Sequence, residues 1–300
     1  MIDLRHHIYS LVAVFLALAL GIVIGAAFIA PGSSTLKDSA RGLAEVTKLE
    51  QRFNILRSEI SQKQDAVAAA RARLDRTEQV CKALLPSTVA GRLTYRNVAI
   101  IQTSGSDESV AAVRAALAQA GAKVTTFVRI QGSLTPDNEE LAQMAQPFGK
   151  AAGTPPADLF NTALASIANC VVWAKDADKV AALEKADFAS VSGPLNRWNR
   201  LVVIVGGAGS EGQNMAQIVD APLIELLQKK GAQIVGCEGF DAKVSYIGAY
   251  AGKGISTVDN IEQAAEQLGL IYALTGEHGS FGEKKTADRL IPRTLENAGN

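Results

Sequence analysis

The chain has 300 residues, and its 30 basic and 30 acidic side chains cancel to a net charge of zero, with only 5% aromatics. That balance leaves no electrostatic footprint for nucleic acid, and so few aromatics argue against base stacking or a sugar-binding cleft. Three widely separated cysteines (Cys81, Cys170, Cys237) set up no disulfide framework, and with three His and three Met they leave soft-metal donors sparse.

The first element is the uncharged run Ile8 to Ala30, about 23 residues, long enough as a helix to cross a ~30 Å hydrocarbon core. Arg5, His6 and His7 precede it, and no further basic residue occurs before Lys37. This asymmetry puts the N-terminus in the cytoplasm and the bulk of the chain outside. Residues 1–31 are therefore expected to be a single-pass transmembrane anchor in the cell membrane. The alternative is a cleaved signal peptide. The run is longer than a usual signal core, and Phe28 spoils the small-residue pattern before Pro31. Ala17, Gly21 and Gly25 recur every fourth residue, so they share one helix face where two backbones can approach closely.

Residues 33–85 form the second segment. Ser33-Ser34-Thr35 can cap a helix, and no proline follows until Pro86. Val46, Phe53, Ile60, Val67, Leu74 and Cys81 fall at heptad position a. Leu49, Leu56, Lys63, Ala70, Thr77 and Leu84 fall at d. The alternation holds for about five heptads with charged flanks, which predicts a coiled-coil stalk. A glycine-faced anchor feeding such a seam reads as a parallel homodimer. The competing reading folds the amphipathic helix back onto its own domain. In a parallel pair Cys81 would face its twin.

Residues 95–292 follow, and 293–300 form a tail. Strands are predicted at 97–103, 123–130, 170–174, 201–205, 233–236 and 254–257. Helices are predicted at 108–120, 137–146, 157–168, 178–185, 222–230 and 259–268, the last continuing over 270–275. The alternation predicts a three-layer α/β domain of Rossmann or flavodoxin type with a mostly parallel sheet.

The motif with the most chemical content is Gly207-Ala208-Gly209-Ser210-Glu211-Gly212, directly after a predicted strand, with Glu238 ending the next one. A dinucleotide fingerprint would open straight into a helix. Here that helix starts about eight residues late, so a glycine-rich turn at the sheet edge is the expected reading. Ser104 and Ser210 follow strands, but His278 is the only histidine beyond the first segment and nothing links them into a triad. No catalytic residue and no bound cofactor is expected, and the protein is expected not to be an enzyme.

The opening MIDLRHHIYSLVAVFLALALGIVIG, the stretch Ser256-Thr257-Val258-Asp259-Asn260, and the terminal Gly279-Ser280-Phe281-Gly282 and Thr286-Ala287-Asp288-Arg289-Leu290-Ile291-Pro292 resemble the MctB-like family of actinobacterial copper transport proteins. The likeness covers essentially the whole chain. It implies a single-span, channel-like envelope protein tied to copper homeostasis, with copper as its metal. It carries over no ligand residue. A related member implies a second role, a coiled-coil scaffold or activator for a cell-wall hydrolase in cell separation. Either role implies a further envelope protein as partner.

Overall fold

A computed structural model describes residues 4–29, 35–208 and 215–296, with side chains over 9–25, 46–208 and 215–296. The chain divides into two compact units, Met1–Leu74 and Asp75–Asn300.

The first unit holds helix α1 (Leu4–Ile29) and most of α2 (Thr35–Val89). Among the described residues no helix is long and apolar enough to cross a membrane. The expected transmembrane anchor is corrected accordingly, and with it the single-pass placement of the chain.

The second unit is a mixed α/β domain. Its seven-stranded sheet runs β3-β2-β1-β4-β5-β6-β7. In chain order the strands are β1 (Asn97–Gln102), β2 (Lys123–Ile130), β3 (Ala189–Ser192), β4 (Leu201–Gly206), β5 (Gln233–Glu238), β6 (Ser256–Val258) and β7 (Ser280–Phe281). Each pairing is parallel except that of β2 with β3. The central strands read as near-continuous apolar runs because helices cover both of their faces.

One face packs against α4 (Pro156–Trp173), α5 (Ala177–Lys185) and α6 (Ala221–Lys229), with Ile101, Val128, Val202 and Ile204 from the strands. The other packs against α3 (Asp107–Gln119) and α8 (Ala264–Leu274), with Val98, Ile100, Val203 and Val235. Two short helices, α7 (Ile247–Ala251) and α9 (Arg293–Glu296), complete the fold.

Pro86 lies inside α2 rather than ending it. A proline there removes one backbone donor near the end of the helix, where the structure tolerates it. The Ser87 and Thr88 hydroxyls both donate to the Leu84 carbonyl, at 2.7 and 3.0 Å. Leu85 and Val89 are buried in the second core, and Cys81 packs against it. Cys81 thus packs against the core of its own domain.

The expected strand at 170–174 is instead the last turn of α4, which ends at Ala174 in the left-handed conformation. A short apolar run, Cys170-Val171-Val172-Trp173, does not separate buried helix from buried strand by periodicity. Strand β3 replaces it in the sheet. Only its Ala189 is fully buried, so it carries little apolar signal.

Candidate functional site

Parallel strands send their C-terminal ends to one edge, where α/β folds collect ligands. That carboxyl edge carries most of the buried acids of the domain. Glu238, the last residue of β5, is wholly buried and fully engaged. Ser245 Oγ donates to its Oε1 at 2.8 Å, the Tyr246 amide to its Oε2 at 2.7 Å, and Lys284 Nζ to its Oε1 at 2.6 Å. The oxygens that a ribose would need are taken.

Asp259, just past β6, accepts from the Glu283 and Lys284 amides at 3.0 and 3.1 Å. Burial raises its carboxyl, and these two amides oppose that rise. Gly282 makes the arrangement possible. Its φ is +143°, and a Cβ there would lie 2.2 Å from the Asp259 carboxyl. The 280s loop is thereby fastened to the ends of β5 and β6. Nearby, Ser109 donates to Glu262 at 2.6 Å and the Phe240 amide donates to the same carboxylate at 3.0 Å.

Asp220 closes a π-helical turn (Ala216–Asp220) that leads into α6. It stands at the N-cap position of α6, yet its side chain makes no cap bond. It accepts instead from the Tyr250 hydroxyl at 2.5 Å, and its Oδ1 has no partner. Burial pushes this carboxyl up to about 7. Tyr250 reaches it by lying across two glycines. A Cβ on Gly206 would meet the hydroxyl at 1.9 Å, and one on Gly236 would meet the ring at 2.3 Å. Pattern reading passed over this pair because glycines inside strands signal close approach without naming what approaches.

Glu266, in the first turn of α8, is buried with neither carboxylate oxygen partnered. Burial is the main cause of a rise to about 8, reinforced by Glu283, Asp259 and Glu78.

Of the glycine-rich motif, residues 209–212, including Ser210, lie outside the described residues. Gly207 has φ +93° and packs against Glu238. Ser104 follows β1 at the carboxyl edge. His278 lines a cleft of about 170 Å³ with Ser256 and Gln233 at the opposite edge. The sheet therefore keeps Ser104 and His278 apart.

The residues expected to mediate self-association lie in the first unit. Gly21 and Gly25 have open space where a Cβ would sit. Ala17 is exposed beside them. Along α2, Val46, Leu49, Phe53, Leu56, Ile60, Val67 and Leu74 are 46 to 67% exposed. They form one unpartnered apolar stripe.

Donors for a soft metal are scattered. Burial raises the Cys170 thiol to about 11 and raises that of Cys237 as well. Among the described residues no three His, Cys, Asp or Glu side chains are grouped to hold a metal ion.

The family model for "Copper transport outer membrane protein, MctB" matches residues 1–292. The chain belongs to the MctB family. The copper transporter MctB of Mycobacterium tuberculosis is 29% identical to it over 309 residues, covering 91% of this chain and 92% of the relative. The copper transporter MctB of Mycobacterium leprae is 29% identical over 324 residues, covering 94% and 96%. The MctB match reaches through α2, the sheet and the Asp259-anchored 280s loop, so membership embraces both units.

Proposed function

We propose that the chain acts in copper handling at the cell envelope as a non-enzymatic assembly protein. Two copies associate in parallel along the α2 stripe and engage a further envelope protein to move the metal. Membership of the MctB family and the names of its relatives support the copper role and the envelope location.

One observation carries the assembly. Seven large or branched apolar side chains from Val46 to Leu74 stand exposed at heptad spacing. Water penalises such a stripe, and a second identical stripe covers it with knobs entering holes. The engagement of Glu238, Asp259 and Glu262 in holding loops supports a binding rather than a catalytic role. The buried thiols support metal transfer that depends on a partner.

Copper content, measured by mass spectrometry in cells lacking their own family member, tests this reading. Restoring the chain lowers copper accumulation, and the Phe53→Asp/Ile60→Asp variant does not. Equal copper with and without the chain would count against it.

A further inference from the structure

The amino edge of the sheet differs sharply from the carboxyl edge. Exposed cations line it: Arg96 before β1, Lys123 opening β2, and Arg197 and Arg200 before β4. They are contiguous, because the segments that carry them are joined. The Lys123 amide donates to the Arg96 carbonyl at 2.9 Å, and Asn97 Nδ2 donates to the Trp198 carbonyl at 3.4 Å. The Gln233 amide donates to the Arg200 carbonyl at 2.7 Å, which ties in the start of β5.

Aromatic side chains are interleaved with these cations. Tyr95 is 98% exposed and Trp198 73% exposed. The chain has only two tryptophans, and the second, Trp173, lies on the same edge. The Asn199 amide donates to the Val172 carbonyl beside it at 3.2 Å. Lys230 Nζ stands 4.8 Å from the Trp173 ring centre and Lys175 Nζ 5.5 Å. Asp176 and Asp178 open α5 on this edge, and Asp176 is already held by Lys179 at 3.2 Å and Asn169 at 2.6 Å. The four arginine and lysine residues at the strand starts have no ion-pair partner among the described residues.

We propose that this edge is a peripheral docking surface for an anionic phospholipid membrane. The chemistry favours lipid over other anionic partners. Tryptophan and tyrosine settle at the headgroup level, where an apolar ring body and a polar tip are both accommodated. Arginine and lysine within a Debye length of anionic headgroups add attraction that salt weakens. Tyr95 and Trp198, both at this edge, are among the most exposed aromatics of the described residues. An acidic peptide or polymer would be served by the cations alone and would leave Tyr95 and Trp198 uncovered.

The tryptophans supply the test, since α1 contains none. The full chain is mixed with phosphatidylcholine vesicles containing about one third phosphatidylglycerol. Tryptophan emission shifts to the blue and is quenched by brominated lipid. Raising salt from about 0.1 M to about 0.5 M reverses both changes. With Trp173→Phe the signal persists and reports Trp198 alone.

The Arg197→Glu/Arg200→Glu variant lowers vesicle partition more than about tenfold, with circular dichroism and the denaturation midpoint unchanged. A Lys123→Glu variant gives a smaller loss by the same route if that double variant unfolds. Vesicle binding without tryptophan quenching, or equal quenching on pure phosphatidylcholine, would overturn the proposal. So would a shift produced by soluble polyglutamate but not by anionic vesicles, which would assign the edge to an acidic polymer.

Discussion

The Lys284 ammonium lies 2.6 Å from the Glu238 carboxylate, which is completely shielded from solvent while the lysine stays about one quarter exposed. This pair joins the loop after β7 to the end of β5. A buried charge that loses its partner is costly, and truncating one side of such a pair destabilises by roughly 3–5 kcal/mol. Lys284→Met should therefore lower the urea midpoint. The double variant Glu238→Gln/Lys284→Met should recover much of the loss, because it removes the orphaned charge. Equal midpoints for Lys284→Met and the wild type would show that Ser245 and the Tyr246 amide suffice.

Two buried carboxyls make stability depend on pH. Asp220 is raised from 3.8 to about 7 and Glu266 from 4.5 to about 8. Between the unfolded and folded values the folded state holds protons that the unfolded state has released. Stability therefore falls as pH rises across that window and levels off above it. The wild type should lose on the order of a few kcal/mol between pH 4.5 and pH 8. Glu266→Gln should have a higher melting temperature than the wild type at pH 8 and a similar one near pH 4.5. A variant that gains equally at both pH values would place the effect outside this titration.

Gly236 should tolerate no side chain. The Tyr250 ring fills the space of a Cβ there, at 2.3 Å, and the ring is itself buried. Gly236→Ala should cost about 1–3 kcal/mol by overpacking. Adding Tyr250→Leu should relieve part of that cost, and a thermal-melt cycle over the four proteins measures the coupling.

The three thiols should react in two classes. Cys81 is half-buried on α2, whereas Cys170 and Cys237 are buried in opposite cores. An aromatic disulfide reagent should label one thiol quickly and the other two only on unfolding. Fast labelling of Cys237 would mean that the α8 face opens readily.

Much of the sheet could be read from the chain because its central strands are apolar runs ended by glycine or polar turns. The expected 97–103, 123–130 and 201–205 lie within a residue of β1, β2 and β4. Edge elements were hidden. β3 and β7 contribute four and two residues and owe their place to neighbours such as Phe127 and Thr257. The apolar stripe of α2 was visible through its spacing, since a helix repeats its face every three to four residues. The carboxyl-edge network was not. Glu238, Asp259 and the loop carrying Gly282 and Lys284 are distant in sequence and meet only because β5, β6 and β7 are adjacent. Tyr250 and Asp220 lie 30 positions apart and converge through a π turn that no periodicity announces.

The mass of the protein in solution tests the central claim most directly. Sedimentation equilibrium of the full chain should give twice the mass of the 31.5 kDa protomer. Phe53→Asp/Ile60→Asp should return it to one protomer mass while the α/β domain keeps its melting transition. A wild-type protein that sediments as a single protomer across the micromolar range, or a seam variant that stays dimeric, would contradict the account.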